Sequence, residues 1–141
     1  MASTPTDSTL HLWRSKTIDA FAQAEAAVDA IARKLNAVPK CDMLGQKIEA
    51  IRKAKHNSSV SEERKKKIDQ CLGELSKLLG LRNDIVHSPM GIEKAGERIL
   101  ATFANPNLQC DFSEFRRVIP APRLQALASK VVNLAKTLES A

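Results

Sequence analysis

The stretch that decides the fold covers residues 59–89 and reads SVSEERKKKIDQCLGELSKLLGLRNDIVHSP. Its apolar residues recur three and four positions apart, which is the spacing of one face of an α-helix. This face consists of Ile68, Cys71, Leu72, Leu75, Leu78, Leu79, Ile85 and Val86. Ser59 and Glu62 form a capping box, and Pro89 disfavours helical geometry at Ser88. We therefore predict one long helix that begins near Ser59 and ends near His87.

Three further segments have the same helical spacing and are predicted to be amphipathic helices, namely residues 10–36, 42–55 and 122–141. The candidate N-caps are Asp7, Ser8 and Thr9 for the first of them and Asp42 for the second. Pro122 suits the first turn of the last helix, because that turn does not need its missing N–H group. Each segment has one apolar face, which indicates a helical bundle.

The helical period disappears between residues 89 and 120. Residues 98–103 and 115–119 are predicted to be short strands, and they flank the turn-rich residues 105–107. The predicted fold class is all-α: a bundle of four to five helices in up-and-down order, with a short β-hairpin or irregular arm at 89–120 between the last two long helices. We predict a single domain over residues 1–141, with residues 1–8 as a disordered tail.

Composition and charge limit the function classes. The chain has 141 residues and a net charge of +6, which favours an anionic partner. No apolar run is long enough for a membrane helix, and the first residues do not have the pattern of a secretion signal. The three cysteines form no CxxC pair and suit a reducing compartment, so we expect the protein in the cytoplasm and not at a membrane.

Much of the positive charge is concentrated in the second and third predicted helices. The residues concerned are Lys47, Arg52, Lys53, Lys55, Arg64, Lys65, Lys66 and Lys67. Such a run is either a solvated helix face or a surface that contacts phosphates. No aromatic residue lies among them, so the run offers no surface on which bases could stack.

One charged residue interrupts the apolar face of the long predicted helix. Stepping by seven from Ile68 leads to Leu75 and then to Arg82, where an apolar side chain is expected. A buried guanidinium is costly unless it is paired. Arg82 therefore meets a carboxylate such as Asp84, lines a cavity that binds an anion, or reaches solvent from the helix end.

Arg82, Asn83 and His87 together resemble the signature of the HEPN superfamily, which has an arginine, a polar residue, three variable residues and a histidine. This superfamily consists of all-helical domains found in prokaryotic toxins, defence proteins and RNA-cleaving modules. The resemblance implies metal-independent RNA cleavage, in which the ribose 2′-hydroxyl attacks the adjacent phosphodiester. The products carry a cyclic phosphate and a 5′-hydroxyl. No metal and no cofactor is expected.

The three residues fit this chemistry. His87 can take or deliver a proton because imidazole titrates near neutral pH, and Arg82 can hold the phosphate with its two-pronged guanidinium. Asn83 lies one helical turn before His87 and can orient the ring or the substrate. The candidate catalytic residues are Arg82, Asn83 and His87, and the candidate substrate-binding residues are Asp84, Lys53, Lys55 and Lys66.

Helix geometry and the resemblance both predict a homodimer. Residues five apart on a helix differ by about 140° in direction, so Arg82 and His87 of one chain do not converge. Members of the superfamily form composite sites across a dimer. For this chain the resemblance implies RNA as the ligand, and an antitoxin or a nucleotidyltransferase-like protein as a candidate partner. The alternatives are a non-catalytic member that binds a nucleotide, RNA or a protein, and a helical adaptor with no nucleic-acid role. For His87 itself, the alternative is a polar helix-end residue whose charge suits the helix dipole.

Overall fold

The computed structural model describes residues 6–104 and 116–140, which form five α-helices and one three-stranded sheet. In chain order the elements are α1 (Asp7–Lys34), α2 (Leu44–Lys53), α3 (Glu62–Ser76), α4 (Leu79–His87), β1 (Met90–Ala95), β2 (Arg98–Ala104), β3 (Arg116–Pro120) and α5 (Ala121–Glu139). The prediction of an all-α fold is therefore wrong. The protein is mostly helical but mixed α/β, because the predicted arm is a sheet with an interior strand.

Helix α1 confirms the first predicted helix but begins earlier. It starts at Asp7, so Asp7 and Ser8 belong to the helix and not to the predicted tail. The backbone N–H of Thr9 donates to Thr6 Oγ1 at 3.3 Å, which makes Thr6 the capping residue in place of the three candidates. Residues 1–5 of the predicted tail lie outside the described residues.

The connection from α1 to α2 corrects the second predicted cap. Asn36 adopts a φ of 52°, a left-handed conformation that is common just beyond a helix end. The N-cap of α2 is Met43, which makes no side-chain capping hydrogen bond. Asp42 precedes the N-cap, and its carboxylate lies 2.9 Å from Lys47 Nζ.

The N-terminus of α3 also differs from the predicted capping box. Its N-cap is Ser61, whose hydroxyl accepts a hydrogen bond from the backbone N–H of Arg64 at 3.3 Å. The backbone N–H of Ser59 donates to Asn57 Oδ1 at 2.8 Å, so Ser59 belongs to the preceding turn. The turn formed by Asn57 therefore moves the helix start two residues along the chain.

The single helix predicted up to His87 is divided into α3 and α4. Between them the backbone N–H of Leu78 donates to the carbonyl of Leu75 at 3.0 Å. This bond spans three residues instead of four, so the chain tightens between the two helices. The predicted end at His87 is confirmed.

The sheet is antiparallel throughout, with the order β1-β2-β3. Strand β2 confirms the first predicted strand, and β3 confirms the second from Arg116 onward; Phe115 and residues 105–107 lie outside the described residues. Strand β1 was not predicted, because it contains a glycine and charged residues that do not favour strands. Gly96, with a φ of 64°, makes the two-residue turn to β2 possible. Gly91 faces Thr102, and a Cβ at Gly91 would lie 2.5 Å from Thr102 Oγ1.

The two faces of the sheet differ in burial. Phe103 and Ile119 are buried, and Arg117 lies on their face because it is paired with Phe103. Successive residues of a strand point to opposite faces, so Arg116 lies on the other face. There it forms an ion pair with Glu93 of β1. The neighbours Arg116 and Arg117 therefore have different surroundings.

Helix α5 confirms the last predicted helix and starts one residue before Pro122. The buried residues of its predicted apolar seam are Leu124, Leu127, Val131 and Leu138. Within the described part of the chain, we find no helix with the length and apolar character that a membrane crossing requires.

The chain divides into two compact units. The first, called the α4–sheet unit, contains α1 up to Asp19, α4 from Gly80, the three strands and α5 up to Lys130. The second, called the α2–α3 unit, contains the rest of α1 and of α5 together with α2 and α3. Each unit has its own buried apolar residues. They include Leu10, Ile85, Phe103 and Leu124 in the α4–sheet unit and Phe21, Ile51, Ile68, Leu72 and Leu75 in the α2–α3 unit.

Candidate active site

Helix α4 carries the residues of the RxxxxH signature. Arg82 is half-buried, and its Nη1 donates to Asn83 Oδ1 at 2.9 Å. Asn83 and His87 are exposed. His87 is the last residue of the helix, where a positive charge suits the helix dipole. Ile85 is fully buried, and this anchors the helix that presents the polar residues.

Asp84, a predicted substrate-binding residue, is buried and paired inside the α4–sheet unit. Its side chain is 5% exposed, and its Oδ2 accepts a hydrogen bond from Arg117 Nε at 2.7 Å. The side chain of Arg117 is 41% exposed and continues past Asp84 toward Gly80, where Nη2 lies 4.0 Å from the position that a Cβ would occupy. The interaction joins α4 to β3.

The other end of α4 is held by Arg14 of α1. Arg14 Nη2 donates to the carbonyls of Ile85 and Ser88, both at 3.0 Å, and Nε donates to Ile85 at 3.2 Å. These carbonyls lie at the C-terminal end of the helix, where backbone acceptors have no partner within the helix and a cation is favoured. Arg14 therefore fixes the turn that carries His87.

No motif in the sequence marked Arg14 or Arg117. The distance along the chain to their partners is 71 or 74 residues for Arg14 and 33 residues for Arg117. The one available signal was a pair of adjacent arginines in a predicted strand, because alternation puts one of the two on the buried face.

The predicted substrate-binding lysines belong to the α2–α3 unit, whereas Arg82, Asn83, Asp84 and His87 belong to the α4–sheet unit. Lys53 forms an ion pair with Glu49 at 2.7 Å, and this hydrogen bond lowers the pKa of the Glu49 carboxyl. Lys55 and Lys66 are exposed. The structure therefore brings together the four predicted residues of α4 but places the three lysines in a different unit.

Arg82 and His87 diverge within one chain. Both belong to the regular helix α4, so their directions differ by about 140°. Asn83 and His87 are four residues apart and lie on one face. Asn83 therefore lies between the two residues: its Oδ1 accepts the hydrogen bond from Arg82, and it shares a face of α4 with His87.

No protein-family model matches this chain, and no similar curated protein or solved structure was found. The functional assignment therefore depends on α4 and on the residues that contact it. Among residues 6–104 and 116–140, no group of three or more His, Cys, Asp or Glu side chains is arranged to hold a metal ion.

The α2–α3 unit contains a buried charge of another kind. Lys65 is only 7% exposed, and its Nζ lies 2.9 Å from both carboxylate oxygens of Asp69 and 3.4 Å from the carbonyl of Arg52. The last of these contacts joins α3 to the last turn of α2. The ammonium group uses its donors inside the protein, so Lys65 has a structural role.

Cys71 confirms the prediction that it belongs to the core. It is 5% exposed, and its Sγ contacts the carbonyl of Leu134 at 3.5 Å. Burial raises the pKa of the Cys71 thiol, because a thiolate is poorly solvated there. Only the thiolate is an effective nucleophile, so the environment of Cys71 disfavours a reactive role.

Proposed function

We propose that this protein is a HEPN-like, metal-independent endoribonuclease that acts as a cytoplasmic homodimer. The observation that carries the proposal is the arrangement of α4, which holds Arg82 against Asn83 and leaves His87 exposed at a helix end that Arg14 fixes. The proposal depends on these residues and not on the fold class.

The reaction needs two proton transfers and one charge stabilisation. The ribose 2′-oxygen loses its proton and bonds to phosphorus, the bond from phosphorus to the 5′-oxygen breaks, and the 5′-oxygen gains a proton. His87 supplies an imidazole, a group that commonly acts as a general acid or base. Arg82 supplies guanidinium donors for the phosphate oxygens, whose negative charge grows in the transition state.

We expect a dimer to bring Arg82 and His87 of different chains to the same phosphodiester. Since Arg82 and His87 leave α4 in directions about 140° apart, we infer that the two side chains of one chain do not bind the same phosphodiester. A two-fold dimer brings the same surface of two copies together, so Arg82 of one protomer can face His87 of the other.

The first experiment measures cleavage of a single-stranded RNA by the full chain in the presence of EDTA. We expect the wild-type protein to cut and His87→Ala to lower the rate by at least about 100-fold, because a positioned acid or base contributes this much. His56→Ala is the matched control, since His56 is exposed and belongs to the α2–α3 unit. An inert wild-type protein that is folded and dimeric would rule out the enzyme.

A second experiment tests the composite site. Arg82→Ala and His87→Ala proteins are mixed, dissociated and reassociated. We expect about a quarter of the wild-type activity to return, because half of the dimers then carry one intact site out of two. A mixture that stays as inactive as its components would contradict a site shared between protomers.

The second candidate function is a non-catalytic module that binds RNA or a nucleotide. The divergence of Arg82 and His87 favours it, because a phosphate can bind to one side of α4 without a second catalytic group. This candidate predicts RNA binding that falls as salt concentration rises, with no cleavage under any condition.

A further inference from the structure

We infer that Arg117 is a second phosphate-binding residue, which acts with His87 of the same chain on a single-stranded RNA phosphodiester and is held in place by Asp84. The identity of the ligand rests on the proposed function. The arrangement of the three side chains rests on the structure of the α4–sheet unit alone.

Arg117 lies along one face of helix α4. Arg117 contacts Asp84 through Nε at 2.7 Å and approaches Gly80 through Nη2. Gly80, Asp84 and His87 follow the spacing i, i+4, i+7, so their directions on the helix lie within about 60° of one another. Arg117 therefore lies along the face of α4 that carries His87.

Asp84 and His87 are neighbours on this face of α4. Asp84 and His87 are three residues apart, and such pairs have Cβ atoms about 5–6 Å from each other. A helical side chain leans toward the N-terminus and covers the preceding turn, which for His87 is the turn of Asp84. Because His87 is exposed on this face, we expect its ring and the guanidinium of Arg117 to border the same accessible surface.

Arg117 has hydrogen-bond donors that Asp84 does not use. Its Nε is used by Asp84, but Nη1 and Nη2 make no hydrogen bond to any residue of 6–104 or 116–140. The side chain is 41% exposed, so these donors reach the surface. A guanidinium with one nitrogen fixed by a buried carboxylate keeps its fork in a defined orientation, which reduces the entropy lost when a phosphate binds.

Arg116 provides an internal comparison. It is the preceding residue of β3 and is 51% exposed, yet it lies on the opposite face of the sheet and pairs with Glu93. The two residues therefore have equal charge and similar exposure but face different surroundings.

The test measures binding of a short 2′-O-methyl oligoribonucleotide, which cannot be cleaved because its 2′-hydroxyl is blocked. The variants are Arg117→Lys and Arg116→Lys, which keep the charge. We expect Arg117→Lys to weaken binding about tenfold, because one ammonium cannot hold Asp84 and fork around a phosphate at once. Arg116→Lys should bind like the wild-type protein. Fluorescence anisotropy gives both dissociation constants, and thermal unfolding identifies a temperature at which both variants are folded.

Salt dependence separates a direct contact from a structural effect. Arg117→Gln should lower the slope of log K against log salt by about 0.7, the value for the loss of one phosphate contact with a single strand. Arg116→Gln should leave the slope unchanged. Equal affinities and equal slopes for the two positions would overturn the inference, as would a wild-type protein that does not bind the oligonucleotide.

Reassociated mixtures test whether the two residues act within one chain. If they do, His87→Ala mixed with Arg117→Lys cleaves no faster than its Arg117→Lys subunits do alone, because neither subunit supplies both residues. Restoration of activity in that mixture would contradict action within one chain. If the wild-type protein binds RNA through Arg117 but never cuts it, the proposed catalysis fails while this inference stands.

Discussion

Each of the two units contains an ion pair with one buried member. The buried member is the cation in the α2–α3 unit and the anion in the α4–sheet unit. In the α2–α3 unit the cation Lys65 has a side chain that is 8% exposed, and its partner Asp69 is 35% exposed. In the α4–sheet unit the anion Asp84 is 5% exposed, and its partner Arg117 is 41% exposed. The first pair uses its cation inside the protein, whereas the second leaves guanidinium donors at the surface.

This difference separates a structural pair from a candidate site. The Nζ of Lys65 is held by Asp69 and by the carbonyl of Arg52, which together account for its donors. Arg117 gives Asp84 one nitrogen of three. A buried ion pair alone is weak evidence for function, because the cost of desolvation offsets the attraction. A pair that leaves the donors of its cation at the surface is better evidence.

The largest stability effect is expected for Arg117→Gln, which removes the cation next to buried Asp84. We expect the free energy of unfolding to fall by about 2–3 kcal/mol, below the upper range for buried pairs because Arg117 is partly exposed. Urea denaturation measures the change. Arg116→Gln is the control and should cost less than about 1 kcal/mol, since its pair is exposed. Equal losses of free energy of unfolding in Arg117→Gln and Arg116→Gln would contradict the proposed difference between the two faces of the sheet.

An intermediate effect is expected for Asp69→Asn, which leaves Lys65 beside an uncharged amide. The free energy of unfolding should fall by about 1–2 kcal/mol, because Lys65 keeps the carbonyl of Arg52. Lys65→Met should cost less, about 1 kcal/mol or below, since methionine fills similar space and Asp69 can be hydrated. The same denaturation measures both variants. If Lys65→Met loses more free energy of unfolding than Asp69→Asn, the attraction between Lys65 and Asp69 outweighs the cost of burying the charge of Lys65.

The smallest effect is a local one and concerns Cys71. In a Cys41→Ser, Cys110→Ser background, Cys71 should react slowly with a thiol reagent, because burial shields the thiol and raises its pKa. Asp69→Asn should speed the reaction if the α2–α3 unit opens by itself, whereas Arg117→Gln should not under conditions that favour the native state. Equal acceleration by both variants would show that the two units open together.

Local patterns accounted for the helices and for part of the site. The apolar spacing predicted all the helical segments, and Pro89 marked the end of α4 at His87, because each signal acts over one or two turns. Lys65 and Asp69 are four residues apart, a spacing at which helical side chains meet. The residues Arg82, Asn83 and His87 were likewise found from their spacing along one segment.

The tertiary structure alone decided the fold class, the break between α3 and α4, and the partner of Asp84. Strand β1 has a weak intrinsic preference and forms because β2 supplies its hydrogen bonds. The break at Leu78 has no strong stop signal in the sequence. Arg117 reaches Asp84 because the register of β3 puts it on the buried face beside α4, and a register between distant segments has no local signature in the sequence.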